Sequence, residues 1–200
     1  MMQVKAENPI TLLEGRHTLP LIEAYFEFNQ LKQLYRQGWL RRGVPPERCE
    51  SVAEHTFAMA MLCLFIADAY LPTLDVLKVL RLALLHDFGE IYAGDITPAD
   101  AVDPQEKHRR ERDAVQQVFA RLPHGADYLA LWQEYEENRT EEARLVKQMD
   151  RLEMALQASV YEQQGIVNAE EFLASASQAL TQPELRAILD EVMTLRDRAG

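Results

Sequence analysis

Cysteine is scarce: Cys49 and Cys63 are the only two in 200 residues, too few for a disulfide framework and in no paired-ligand spacing. That points to a reduced, intracellular setting, with the cytoplasm as the expected location. Basic side chains are outnumbered as well, 21 Lys and Arg against 32 Asp and Glu, for a formal net charge of -11. A chain so acidic repels long polyanions, so no nucleic acid polymer is expected as a partner. A small phosphorylated substrate stays open, because a local cluster or a cation can reverse the field inside one cleft. Long apolar runs are missing too. The longest, from Phe57 to Ala67, falls short of the ~20 residues that span a bilayer, so no membrane partner is expected either. Met1 to Ile10 lacks the basic stretch followed by an apolar one that marks a secretory leader. Period-2 alternation, internal repeats, low-complexity tracts and interdomain linkers do not occur.

What is present is helix. A hydrophobic content of 48% and a charged content of 26% over this length suit one domain with a substantial core. Thr18 before Leu19-Pro20 opens a first helix, expected to run through Phe26, Leu31 and Leu34 and to stop near Gly38. Gly43 and Pro45-Pro46 block its continuation. Ser51 and Glu54 then form a capping-box pattern, and Val52, His55, Met59, Leu62 and Ile66 follow on one helical face. Pro72-Thr73 restarts the chain, and Leu74 to Leu85, apolar on most sides, predicts a central helix ending at His86-Asp87. Asp103-Pro104 caps a charged helix to about Leu122, and Tyr128, Leu131, Trp132 and Tyr135 mark the next. Thr140 caps a long helix through Asp150 to near Gly165, and two short helices start near Asn168 and Pro183. The expectation is one all-α domain over residues 1–200, with a motif-bearing core at about 31–162 and C-terminal helices at 168–198.

Four polar residues interrupt these apolar stretches: His55, His86, Asp87 and Asp150. Imidazole nitrogens and carboxylate oxygens hold divalent cations such as Zn²⁺, Mn²⁺, Fe²⁺ or Co²⁺. Burying two histidines and two aspartates without a counter-charge is costly, and a metal ion removes that cost. Taken alone, His55 reads more often as a hydrogen-bonded core histidine than as a ligand; the set carries more than its members. Glu90 follows His86 by four residues, and a continuing helix would place both on one face. Asp95 lies in a glycine-flanked turn. Beside a metal, these two acids could handle protons for a water and a leaving group; otherwise they are exposed acids after a helix end. Lys107, His108, Arg109, Arg110 and Arg112 read as a solvated helix face, and Tyr128, Trp132 and Tyr135 as packing. Glu153 stands oddly inside the apolar stripe of Leu145, Met149, Leu152 and Leu156, where it could pair with an arginine, support a ligand or reach solvent.

The order of these residues on an all-helical chain resembles the HD-domain metal-dependent phosphohydrolases, and more closely the small single-domain 5′-deoxynucleotidases. The resemblance rests on Gly38 to Val44 (GWLRRGV), Glu50 to His55 (ESVAEH), Leu84 to Asp87 (LLHD) with Glu90, Gly94 to Pro98 (GDITP), and Leu145 to Asp150 (LVKQMD). It implies one divalent ion, with Mn, Co, Zn, Fe or Mg as candidates, held by His55, His86, Asp87 and Asp150. It also implies that Glu90 and Asp95 are catalytic acids. The substrate, a small nucleotide, would meet Asp87, Asp95, Ile96, Thr97 and Pro98, with Trp39 beside the sugar disfavouring a ribose 2′-hydroxyl. Where related nucleotidases can carry an arginine before that tryptophan this chain has Gly38, so Arg41 or Arg42 is the expected substitute. A homodimer is implied as well. Competing readings are an HD hydrolase for a cyclic nucleotide, a nucleoside triphosphate or a guanosine alarmone, a di-iron oxygenase drawing on His108 or His124, and a non-catalytic nucleotide-binding domain.

Overall fold

The computed structural model describes residues 2–199. The described chain is all-α: α1 (Pro20–Phe28), α2 (Gln37–Leu40), α3 (Val52–Tyr70), α4 (Val76–Leu85), α5 (Glu90–Ala93), α6 (Pro104–Phe119), α7 (Gly125–Glu136), α8 (Glu141–Gln163), α9 (Glu170–Ala179) and α10 (Pro183–Ala199). Among the described residues β structure is limited to two isolated bridges, Val4 with Leu34 and Tyr35 with Ser51.

The site hangs on α3, α4 and α8, which pack against one another. At the start of α3, Ser51 and Glu54 form the capping box: Ser51 Oγ accepts from the Glu54 amide at 3.3 Å, and Glu54 accepts from the Ser51 amide at 2.7 Å. The inner face of this helix buries Val52, His55, Met59, Cys63 and Ile66. By length and composition α3 is apolar enough to cross a membrane, which the apolar runs alone do not suggest. Its inner face is nevertheless committed to the bundle, while Phe57, Phe65 and Tyr70 lie exposed on the outer one. Thr140 caps α8, accepting from the Ala143 amide at 3.2 Å, and Leu145, Met149 and Leu152 run down its buried stripe. The main core joins these helices to α9 and α10, and a smaller one gathers Leu31, Leu34, Val52, Ile91, Val115, Phe119 and Trp132.

Several boundaries differ from the sequence pattern, each for a tertiary reason. The first helix ends at Phe28, continues as a 3-10 turn over Asn29–Lys32, and does not reach Gly38. The chain instead turns to meet the residues before α3: the Val52 amide donates to Leu34 O at 2.9 Å, and the Arg36 amide to Glu50 O at 3.0 Å. Leu19, not Thr18, occupies its N-cap position, without a side-chain cap. Asp75 caps α4, accepting from the Lys78 amide at 3.1 Å, so the helix starts three residues after Thr73. The charged helix stops at Phe119, and α10 is 17 residues long rather than short. Finally, α4 stops at Leu85, and a tight turn separates it from α5, so His86 and Glu90 share no continuous helix.

Candidate active site

The four metal-type residues come from three packed elements. His55 sits on the first turn of α3, His86 and Asp87 follow the end of α4, and Asp150 stands in the middle of α8. Ligand atoms of His55, His86 and Asp150 all fall within 4.8 Å of one another. Asp87 Oδ2 approaches both rings, at 3.0 Å from His86 Nε2 and 3.8 Å from His55 Nε2, and Asp150 Oδ1 lies 3.3 Å from His55 Nε2.

The far side of each ring fixes which nitrogen faces this centre. His86 Nδ1 is 2.7 Å from Ala83 O, a group that can only accept, so Nδ1 carries the proton and Nε2 offers its lone pair. His55 Nδ1 is 2.6 Å from Glu153 Oε2, which favours the same tautomer. Both Nε2 atoms are buried, and neither completes a well-aligned hydrogen bond. Two buried imidazole acceptors facing two carboxylates is the donor set a divalent cation requires. The electrostatics agree. Burial and Arg36 oppose a charge on His55, yet hydrogen bonds to Asp150 and Glu153 raise it to about 10. Burial alone would raise Asp87 and Asp150, but the histidines and Arg36 hold both well below the usual carboxylate range.

Glu90 and Asp95 flank this centre with the opposite tendency. Burial, with repulsion from Asp87 and Asp95, pushes Glu90 well above its ordinary value, and its Oε2 has no partner. Asp95 is raised mainly by burial, against the pull of Arg36 and of the Gln37 amide, which donates to Asp95 Oδ2 at 2.5 Å. The site thus holds two aspartates drawn down at the metal position and two buried acids pushed up beside it.

The arginine of this site is Arg36, which sequence reasoning misses. Its Nη1 lies 3.5 Å from Asp87 Oδ2 and 3.8 Å from Asp95 Oδ1, and those acids hold it charged despite burial. Its only local signal is a basic residue two places before Gly38-Trp39. Arg41 is turned away: it donates to Thr97 Oγ1 at 2.7 Å, pairs with Asp100, and does not line the cleft. Arg42 lines the far end, bonded to Glu171 at 2.7 Å and stacked over Phe172.

The cleft encloses about 540 Å³, enough for a small organic ligand. Trp39, Ile96, Thr97 and Pro98 form part of its wall, beside Glu90 and Asp95. Lys107, His108 and Tyr135 also reach it, while His108, Arg109, Arg110 and Arg112 are exposed as their charges suggest. Lys107 Nζ donates to Ile96 O at 3.2 Å, and His108 stacks on Trp132. Tyr135 packs edge-on against His86, with ring centroids 5.6 Å apart. His124 is exposed at the start of α7 and plays no part in the cleft.

Comparison with known proteins gives a consistent result. A family model described as HD domain matches residues 28–193. The chain is 36% identical over 194 residues to 5′-deoxynucleotidase HDDC2 of Bos taurus, covering 95% of this chain and 92% of that protein. It is 39% identical over 167 residues to the Homo sapiens protein of the same name, covering 82% and 79%. Among solved structures, the PH0347 protein of Pyrococcus horikoshii OT3 superposes with a TM-score of 0.73 at 33% identity, over 86% of this chain and 97% of that one. A predicted metal-dependent phosphohydrolase from Magnetospirillum magnetotacticum MS-1 follows with a TM-score of 0.64 at 29% identity, over 88% and 94%.

Proposed function

Because the chain belongs to the HD domain family, we propose that it is a divalent-metal-dependent 5′-deoxynucleotidase, hydrolysing 2′-deoxynucleoside 5′-monophosphates to nucleoside and phosphate. The observation that carries this reading is the buried pair of open imidazole nitrogens, flanked by two buried acids and one guanidinium in a single cleft.

His55, His86, Asp87 and Asp150 would hold the ion, which supplies Lewis-acid polarisation of the phosphoryl group and acidifies a water. Arg36 orients the phosphate through its fork of donors and offsets charge that develops on the equatorial oxygens. Water attacks phosphorus in line with the departing 5′-oxygen. Asp95, whose carboxylate Arg36 and the Gln37 amide support against the opposing effect of burial, accepts the water proton. Glu90, which has no such partner and keeps its proton, donates it to the 5′-oxygen as the P–O bond breaks. Trp39, almost wholly buried, closes the wall where the sugar would lie, and a ribose 2′-hydroxyl would meet its ring there.

Two nitrogen and two oxygen donors suit Mn²⁺, Co²⁺, Fe²⁺ or Zn²⁺ better than Mg²⁺. A homodimer through the exposed apolar face of α3, with Phe57 and Phe65 at its centre, and a cytoplasmic location suited to two buried free thiols complete the proposal. The test of the reaction class is a panel of nucleoside 5′-monophosphates, triphosphates and cyclic nucleotides given to metal-loaded protein. Phosphate with nucleoside as sole products supports the nucleotidase; pyrophosphate or triphosphate release points to the other phosphoester readings.

A further inference from the structure

We propose that Glu50 is a positioning residue that couples Trp39, the sugar-side wall, to the metal ligand His55 by way of Glu153. The substrate half of this inference rests on the nucleotidase reading; the coupling itself does not.

Four contacts form the series. Trp39 Nε1 donates to Glu50 Oε1 at 2.7 Å. The carboxyl groups of Glu50 and Glu153 and a ring nitrogen of His55 lie within 4.8 Å of one another. Glu153 holds His55 Nδ1 at 2.6 Å, and the opposite nitrogen of that ring faces Asp150. The backbone around Glu50 is fixed independently. Its amide donates to the Tyr161 hydroxyl at 3.1 Å, and its carbonyl accepts from the Arg36 amide at 3.0 Å. Tyr161 in turn packs edge-on against Trp39, with ring centroids 5.2 Å apart.

A buried indole N–H needs an acceptor, but a neutral amide or a backbone carbonyl would serve. A half-buried carboxyl within 4.8 Å of the buried Glu153 carboxyl is the costlier choice, and a purely structural role does not call for it. The arrangement makes sense if a cation binds His55 Nε2, because Glu153 holds the opposite nitrogen of the same ring at 2.6 Å. The His55–Glu153 contact then readjusts, and Glu50 carries that readjustment to the indole. Sugar discrimination by Trp39 thereby depends on an occupied metal site.

The experiment follows the indole N–H resonances of the two tryptophans in nucleotide-free, ¹⁵N-labelled protein, with Trp39 identified through Trp39→Phe. Zn²⁺ added to the chelated protein shifts the Trp39 signal in the wild type. In Glu50→Ala that signal moves to an unbonded position and no longer responds to Zn²⁺, while Zn²⁺ affinity stays within about threefold, because every ligand and Glu153 remain. Glu50→Gln keeps an acceptor and recovers the bonded position. In parallel, the ratio of kcat/KM for dAMP over AMP falls about tenfold in Glu50→Ala, mostly through a lower KM for AMP, and Glu50→Gln recovers part of it. Should Glu50→Ala fail to fold, Glu50→Asp, one methylene shorter, withdraws the carboxylate from the indole and makes the same two predictions. A Trp39 signal that still follows Zn²⁺ in these variants, with unchanged discrimination, overturns the proposal. If the wild type cleaves no nucleoside monophosphate, the nucleotidase reading fails, and the Zn²⁺-dependent Trp39 signal still decides the coupling.

Discussion

Glu153 and His55 form the closest polar contact behind the metal position: a carboxylate oxygen on α8 lies 2.6 Å from Nδ1 of a ring on α3. One turn earlier on α8, Asp150 faces the other nitrogen of the same ring at 3.3 Å. A single helix therefore supplies a ligand and the group that orients its neighbouring ligand. Glu153→Ala is expected to weaken Zn²⁺ binding 10–100-fold in competition with a chromophoric chelator, the usual cost of losing such a partner. Glu153→Gln, which can still accept from Nδ1–H, should lose less. Equal affinity in all three proteins would contradict the role.

Glu90 is expected to separate chemistry from metal binding. Glu90→Gln keeps the shape but cannot give a proton to the leaving oxygen, so kcat should fall by about 10²–10⁴. Metal content after gel filtration should match the wild type. Loss of the metal in this variant would reassign Glu90 as a ligand.

Arg36→Ala should raise KM for the nucleotide and lower kcat/KM by roughly 10²-fold or more, since a charge-assisted contact to phosphate is lost and Asp87 and Asp95 are left facing each other. Arg36→Lys should recover little, because an ammonium cannot present two parallel donors. Arg41→Ala, on a side chain tied to Thr97 and Asp100 outside the cleft, should change KM by less than about threefold. Steady-state kinetics on the three variants decide between these arginines.

The difference between Arg36 and Arg41 shows where sequence reading reaches its limit. His55 is legible because its spacing from Val52 and Met59 sets it on a buried helical face, and the Ser51–Glu54 box fixes where that helix starts. Asp150 is legible from the border of the α8 stripe, and Glu153 at least as an anomaly within it. Arg36 is not, because its position depends on the chain leaving helix at Leu34 and pairing with the residues before α3, a contact between segments about sixteen residues apart. Lys107 and His108 mislead in the same way. Local spacing assigns them to solvent, where His108 is indeed exposed, but only the packing of α6 across α5 shows that both also line the cleft. Helix types and caps are local properties; which polar residues share a cleft is not.

Gly89 is required by close approach. A Cβ there would stand 2.5 Å from Glu111 Cβ and 2.9 Å from its Cα, so α6 would have to retreat from the turn between Asp87 and Glu90. Gly89→Ala should cost about 1–3 kcal/mol in chemical denaturation and lower kcat together with stability. Unchanged stability would show that the turn and α6 are not in rigid contact.

Glu111 predicts a pH dependence in the chelated protein. Burial pushes its carboxyl up to about 7, against the pull of Lys107, whereas the ordinary value is 4.5. Between those values the unfolded chain has released a proton that the folded protein keeps, so stability falls as pH rises through this window. Below the window both states are protonated and the contribution is intact. Glu111→Gln should remove up to about 3 kcal/mol of the decline between pH 5 and pH 8. Parallel stability profiles for the two proteins would contradict the assignment.

The most direct measurement is phosphate release from dAMP by chelated protein as Mn²⁺, Co²⁺ or Zn²⁺ is added back, with AMP and the Asp87→Ala variant run beside it. The account predicts no release without metal, recovery at one equivalent of ion, a higher kcat/KM for dAMP than for AMP, and neither retained metal nor activity in Asp87→Ala. Phosphate release by the chelated wild type, or by metal-free Asp87→Ala, would contradict it.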